Sequence, residues 1–590
     1  MITRLSSIRN LSLISFKITN MKYIVSYKKP NNHYIDIEFI IDKVDSDKIK
    51  VQLPAWRPGR YELGNFAKNV QKWEAFNYKG DRLSSKKITK DLWEVETNGT
   101  SEVHIKYNYF ANEINAGSSY LDDKQLYING VNCFLYLPNR QNEGCELELK
   151  IPSTYKVATG LTQTSKHNFK AKDFHELVDS PFIASNNLQH FSFDESNVKF
   201  HLWFNGECKP DWNKLETDFR KFIKNQIEAF GGFPVNEYHF LFQILTYRTY
   251  HGVEHSNSTV ISLGPSYDIM RTEGWYNELL GVSSHELYHT WNVKQIRPTE
   301  MLPYDYSKEN YTVMGYLDEG VTTYYGDKFL LTSGVFDWEL YAKTFNQLLD
   351  RHFNNFGVNN YSVAQSSFDT WLDGYVKGAP GRKGSIYTEG ALVAFMTDIF
   401  ILKNTQNKKS LNTVMKTLFE DFAKKGLGVG DEDYKKVIEE VSGTSYEDIY
   451  NNYIHGNKDY TNLLKDALNY IGCELSVELS KKHNEAYLGF KVRYENGSCL
   501  IDNICHNSLA EQKGLAINDE IIAINGVKIN NDLELWSNYF INEEIGLSIK
   551  RELSTITKIS FIPNEKSVGF SDYKIIKLKE NDNYTHWKTV

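Results

Sequence analysis

The 590-residue chain is poor in the features that mark several large protein classes. Its six cysteines (Cys133, Cys145, Cys208, Cys473, Cys499, Cys505) are scattered, with no C-x-x-C pair. Disulfide frameworks, zinc ribbons and thiol redox motifs are therefore absent, and nothing points to an oxidising compartment. No apolar stretch approaches the length of about 18 residues that a membrane span requires. Basic residues never gather into a run, and 67 Lys and Arg face 75 Asp and Glu, a net charge of -8. The sequence thus offers no footprint for nucleic acid or an anionic membrane. Repeats and long low-complexity linkers are also missing. What remains is an ordinary globular composition, 41% hydrophobic and 24% charged, which rules out wholesale disorder. At about 150 residues per domain the length suggests three or four units. The expected compartment is the cytoplasm.

Texture divides the chain. Residues 1–20 carry Arg4, Arg9 and Lys17, no acid, and a short apolar run from Leu11 to Phe16. A signal peptide would need a longer run and a small-residue cleavage site. The segment reads as a disordered extension, with a degenerate targeting segment as the competing reading. Residues 21–195 alternate with period two, as in YIDIEFIID and SEVHIKYNYF, and predict an all-β domain. Residues 196–470 are mainly helical, opening with DWNKLETDFRKFIKNQIEAFGGFP and the strand YHFLFQIL. A β-rich block follows over 471–566, and 567–590 reads as a polar carboxy-terminal tail. The fold class is multi-domain α+β.

The strongest chemical signal is HELYH, His285 to His289. Residues i and i+4 share a helix face, so both imidazoles can reach one ion about 2.0–2.1 Å away. Glu286 is turned by about 100° from His285, beside the ion rather than on it, where a general base belongs. Such a zinc site needs a third protein ligand and an open fourth position. Glu319, in YLDEGVTTYYGDKF, is the favoured candidate. Spacing alone does not separate it from Asp318, which would then act as a supporting or helix-starting acid.

HELYHTWNVKQIRP, DEGVTTYYGD and SIYTEGALVAFMTDI together resemble the glycyl aminopeptidase family of gluzincin zinc metallopeptidases. The likeness extends to PAWRPGRYELGNFAKNV (54–70) and to the block after residue 473. It implies a β amino-terminal domain, a thermolysin-like, mainly α catalytic domain and a carboxy-terminal PDZ domain. It also implies one Zn²⁺ per chain on His285, His289 and Glu319, with Glu286 as base. HGVEHSNS (251–258) resembles the family's G-x-E-H element, making Glu254 the candidate for the substrate's ammonium; an ordinary strand-edge carboxylate is the competing reading. His251 stands where a second Gly is expected, and Gln295 replaces a basic residue. Tyr387 matches a tyrosine that could donate to an oxyanion, against a packed core tyrosine. Lys294 and Arg297 are expected to make internal ion pairs. His251 and His255 mimic metal ligands by spacing only.

In the last block Tyr487, Leu488, Gly489 and Phe490 resemble a PDZ carboxylate-binding loop, and GLAINDEIIAINGVKI matches the stretch that follows. The expected function is a zinc aminopeptidase that removes small amino-terminal residues, Gly or Ala, from peptides with a free amino terminus. A peptide carboxy terminus is a possible partner at the PDZ domain. An endopeptidase of the same mechanism and a PDZ-centred adaptor with a spent catalytic domain are the alternatives.

Overall fold

The computed structural model describes residues 21–589 except 377, 552–554 and 563–567. The extension expected over 1–20 lies outside the described residues. In the amino-terminal part, alternation becomes sheet. Ile35, Ile37, Phe39 and Ile41 of the strand Tyr34–Ile41 are all buried while their neighbours are less covered, one face turned to the core. This strand pairs with Met21–Ser26 and Val103–Phe110 inside an eight-stranded sheet. Smaller sheets of four and three strands complete the domain.

The second unit is built on a five-stranded sheet. Its strands are β1 (Gln189–Glu195), β2 (Val198–Asn205), β3 (Glu237–Ile244), β4 (Thr249–Glu254) and β5 (Ser258–Gly264), in the order β1-β2-β3-β5-β4. Strands β2, β3 and β5 run parallel, and β4 is an antiparallel edge. The boundary expected at 195 would leave β1 with the amino-terminal domain. A two-residue turn at Ser196 and Asn197, both at positive φ, instead folds it onto β2, the geometry a tight hairpin requires.

β3 and β5 are buried almost throughout, as strands covered on both faces are. Helices α1 (Trp212–Phe230) and α2 (Glu273–Tyr288) cover one face. The amino-terminal domain covers part of the other, where Leu241, Val253 and Val260 meet Ala116, Tyr127, Ala158 and Ile183. A π-helical turn (Tyr316–Val321) leads into α3 (Thr322–Thr332), followed by α4 (Trp338–Phe353) and the almost wholly buried α5 (Ile386–Asn404).

The carboxy-terminal region differs from its expected layout. Strand β6 (Cys473–Leu479) does not join the PDZ sheet; it pairs with β7 (Ser571–Lys577) in a two-stranded ribbon. The ribbon lies on α4, with Ile575 N–H donating to Asn346 Oδ1 at 2.8 Å and Tyr573 stacked on Phe353 at 4.4 Å. Between the ribbon strands sits the PDZ sheet with a core of its own. The polar tail expected over 567–590 is therefore corrected: it supplies β7 and a terminal helix, Asp582–Thr589. Tyr584 and Trp587, three residues apart on one helix face, anchor that helix in the catalytic core. Two anchors in a polar segment are invisible to average composition. Trp587 donates to Tyr324 Oη (2.9 Å), which donates to Asp398 Oδ2 (2.6 Å), and Lys328 Nζ meets the same oxygen at 2.7 Å. Among the described residues no helix is long and apolar enough to cross a membrane.

Replacing Trp587 by Ala should cost about 3–5 kcal/mol, the usual range for a buried Trp. In urea unfolding followed domain by domain, the catalytic unit should lose its midpoint first while the PDZ transition holds. An unchanged catalytic midpoint would show that the terminal helix is a passive tail after all.

Candidate active site

Helix α2 presents the histidines because it is clamped on several sides. Gln226 of α1 donates to Ser284 O and Oγ, both at 3.0 Å, and Ser284 Oγ donates to Gly326 O of α3 at 2.7 Å. His285 and His289 then face each other, Nε2 to Nε2, at 3.1 Å. Glu319 Oε2 lies 3.4 Å from His289 Nε2 and 3.9 Å from His285 Nε2. Three donors held about 2.0–2.1 Å from one tetrahedral ion stand roughly 3.3 Å apart, so this set fits zinc in both chemistry and spacing.

Glu319 arrives from the π-helical turn, in which the backbone is wound wider than in an α-helix. Asn292, three residues past His289, fixes that turn to the end of α2. Its side-chain amide donates to Leu317 O (2.8 Å), Asp318 O (3.1 Å) and Thr322 Oγ1 (3.0 Å). Its backbone carbonyl lies 3.0 Å from His289 Nδ1, which leaves Nε2 free to face the other donors. The turn packs on α5 at a glycine pair, Gly320 against Gly390, where a Cβ on either residue would overlap the other's backbone.

Glu286 and Glu254 complete the pocket. Glu254 ends the edge strand β4, and its carboxylate, Glu286 and His289 bring donor atoms within 4.8 Å of one another. Close backbone approach makes this possible. A Cβ on Gly252 would overlap Glu286 Oε1, and one on Gly59, a residue of the amino-terminal domain at φ +79°, would overlap the Glu254 carboxylate. Glu286 Oε2 and Glu254 Oε1 are buried without a hydrogen-bond partner.

The electrostatics follow from crowding. Burial pushes the Glu286 carboxyl well above the usual range, opposed by His289 and reinforced by Glu254 and Glu319. Burial drives His285 well below the ordinary imidazole value. Burial also opposes a charge on His289, yet the facing Glu319, with Glu254 and Glu286, raises it to about 10. The three carboxylates thus favour positive charge where the donors converge.

Tyr387, on α5, is half-buried; burial and Glu319 keep its phenol well above its usual pKa and so protonated. Its hydroxyl lies 3.3 Å from that of Tyr375. Asp318, the alternative ligand, is fully buried, and neither of its oxygens finds a hydrogen-bond partner or joins the cluster. Lys294 makes the expected internal ion pair, 2.7 Å from Asp179 of the amino-terminal domain. Among the described residues Arg297 makes none: its guanidinium lies over the Tyr304 ring at 4.0 Å and donates to Val293 O and Lys294 O. His255 Nδ1 is 3.2 Å from Asp179, and His251 faces Arg57 rather than the donor set.

Sequence reading missed Arg57, Tyr61 and Tyr375 as site residues. Tyr61 reaches to 3.5 Å of Glu319 Oε1, and Tyr375 to 3.5 Å of Gly59 O. Arg57 and Tyr61 sit in the quoted stretch 54–70, but only domain docking reveals that it roofs the pocket. A further group, His201, Glu237 and His239, also gathers donor atoms. There the His201 and His239 rings stack in parallel at 4.4 Å, and Trp203 donates to His239 Nδ1 at 3.2 Å. In the PDZ sheet the Tyr487–Phe490 loop is partly coiled. Asn484–Leu488 form a π-helical turn closed by Gly489 N–H donating to Asn484 O, and Asn484 Nδ2 donates to Phe490 O at 3.0 Å. The Gly489 amide is thus already engaged, while Tyr487 is 47% exposed.

Comparison with known proteins agrees with this architecture. Three family models match: the peptidase M61 N-terminal domain over residues 22–186, M61 glycyl aminopeptidase over 278–393, and PDZ over 476–534. Among solved structures, an aminopeptidase N family protein from Idiomarina loihiensis superposes with a TM-score of 0.88 at 25% identity, covering 97% of this chain and 100% of its own. An M1 zinc metallopeptidase from Deinococcus radiodurans gives a TM-score of 0.48 at 13% identity, over 75% of this chain and 94% of its own. No curated protein matches. The chain therefore carries the amino-terminal and peptidase domains of the M61 glycyl aminopeptidase family together with a PDZ domain, and is a zinc metallopeptidase.

Proposed function

We propose that the chain removes amino-terminal residues from peptides, small ones such as Gly or Ala first, with one zinc ion held by His285, His289 and Glu319. The observation that carries this reading is Glu254. Its Oε1 is buried without a partner, and its carboxylate shares one pocket with Glu286 and His289. A fixed, unpartnered carboxylate in that position suits a free ammonium and has no use for a blocked chain end. Gly59 lies against this carboxylate, and Tyr375 reaches to 3.5 Å of Gly59 O, which favours a closed end over a through-groove.

Bound to the three donors, zinc supplies Lewis acidity to the scissile carbonyl and lowers the pKa of water. Glu286, beside the donors, takes a proton from the attacking water and passes it to the leaving amine. The protonated Tyr387 phenol donates to the oxyanion that develops on the substrate carbonyl. Glu254 holds the ammonium and so sets which bond meets Glu286. The family's glycyl description and the imidazole of His251, where a glycine would leave more room, support the preference for small residues. The PDZ domain offers exposed Tyr487 to a separate peptide partner. Six free, buried cysteines accord with a reducing compartment, and we place the protein in the cytoplasm.

Gly- and Ala-linked chromogenic amides test the reading. The free forms should turn over and the acetylated forms should not. Glu286→Ala should lose about 10²–10⁴-fold in kcat with its zinc retained. Cleavage of acetylated or internal bonds at comparable rates would replace the aminopeptidase with an endopeptidase.

A second measurement addresses the metal directly. If Asn292 fixes the His289 ring and the turn bearing Glu319, Asn292→Ala should weaken zinc by about 10–100-fold in a chelator competition. Unaltered affinity would mean that the π-helical turn holds Glu319 without this strut.

A further inference from the structure

Arg57 lies between the amino-terminal domain and the pocket, and among the described residues its guanidinium is held by no close ion pair. The residue is 4% exposed. Its hydrogen-bond contacts are two long ones, to Pro58 O at 3.4 Å and His251 Nε2 at 3.5 Å. Among the described residues no carboxylate forms an ion pair with it within 4.0 Å. A guanidinium has five N–H donors, and a desolvated cation without an anion is unfavourable. The Gly117 backbone lies against one side of it, where a Cβ would overlap Nε. Another side borders a cavity of about 230 Å³, which Ser119 and Asn132 also line.

Its position relative to the reaction gives the missing anion a source. Gly59, two residues on from Arg57, lies against the Glu254 carboxylate, and His251, which Arg57 meets, directly precedes the Gly252 that lies against Glu286. A substrate with its ammonium on Glu254 and its first carbonyl served by Glu286 has its first Cα between these two carboxylates. The side chain on that carbon enters the field of Arg57. The neighbouring His251 does not compete, because burial and the charges of Arg57 and Arg60 push it down to about 3. Its neutral ring can accept from Arg57 and leaves the charge uncancelled.

We infer that Arg57, backed by His251, receives a carboxylate on the side chain of the substrate's first residue, so that among small residues aspartate is favoured over isosteric asparagine. The inference rests on the aminopeptidase reading and deepens it. With an uncharged side chain, the guanidinium only repels the ammonium that Glu254 holds. A carboxylate between the two cations converts that repulsion into two attractions and gives Arg57 the geometry of a fork on a carboxylate. Neither Arg57 nor His251 is required by the zinc chemistry, which makes them free to set specificity.

The test is kcat/KM for aspartyl, asparaginyl and alanyl amides with free amino termini. Aspartyl should exceed asparaginyl by about tenfold or more, the value of one charge-assisted hydrogen bond. In Arg57→Gln the ratio of the two should fall to near one. A wild-type ratio at or below one, with the alanyl amide turned over, overturns the inference without recourse to any variant. If no free-amino amide turns over, it is the aminopeptidase reading that fails. Calorimetric titration of the zinc-loaded protein with aspartic α-amide and asparagine α-amide then judges Arg57 separately. Tighter binding of the aspartyl ligand sustains the assignment, and equal affinity refutes it.

Discussion

Burial of Glu254, Glu286 and Glu319 against one another is the constraint that organises this molecule. Like charges in a poorly solvated pocket disfavour ionisation, and the carboxyl of Glu286 accordingly stands well above its usual range. Such a cluster persists only where a cation answers it. The raised His289 points to the place, since the three donors converge on its ring. A divalent ion there would supply more charge at the same point and would leave both imidazoles neutral, as ligands must be. The steric features of the site serve this arrangement. Gly252 lets Glu286 approach the edge strand, and the wider π-turn carries Glu319 to the end of α2.

The same constraint explains why the two large domains are inseparable. The pocket wall is not complete within the catalytic unit. Gly59 lies against Glu254, Tyr61 reaches towards Glu319, and Arg57 meets His251 of the edge strand that Glu254 ends, all from one loop of the β domain. Such precision needs a rigid joint. Trp56 donates to Asp305 O at 2.7 Å, and Met301, Tyr304 and Tyr306 sit in the core of the β domain. Within the joint Asp179 accepts from Lys294 Nζ, from Ser256 N at 3.0 Å and from Ser256 Oγ at 2.6 Å. One partly buried carboxylate thus fastens the segment after Glu254 and the segment after His289 to the same neighbour. It also balances a fully buried ammonium, and that partner, with His255, holds its carboxyl well below the ordinary range against its burial.

Legibility in the sequence followed the range of the interactions. HELYH was readable because its geometry is local: one helical turn puts two imidazoles on one face. Alternation gave the strand Tyr34–Ile41, since the pattern and the burial are the same fact. Strand β1 was misassigned because alternation says nothing about which sheet a strand joins; that was decided by two left-handed residues in its turn. Arg57, Tyr61 and Tyr375 are far from the zinc motif in sequence and meet it only through domain docking. Asn292 was within the quoted string HELYHTWNVKQIRP, but its role depends on carbonyls 25 and 26 residues away.

The carboxy-terminal region shows how a polar segment can hold a domain in place. β6 and β7 form one ribbon, so the PDZ sheet is an excursion between two strands that are both fixed to the catalytic unit. A domain entered and left through a paired ribbon is held at two points, where one joined by a single linker is held at one. The fixing is continuous. Tyr573 stacks on Phe353, and the adjacent His352 is 2.7 Å from Glu389, two residues past Tyr387 on α5. Beyond the ribbon, Trp587 reaches the buried Tyr324–Asp398–Lys328 cluster, where Asp398 also accepts from Leu411 N–H at 2.8 Å. The last residues of the chain therefore belong to the core of the peptidase, and the PDZ sheet is carried on the same framework that positions Tyr387.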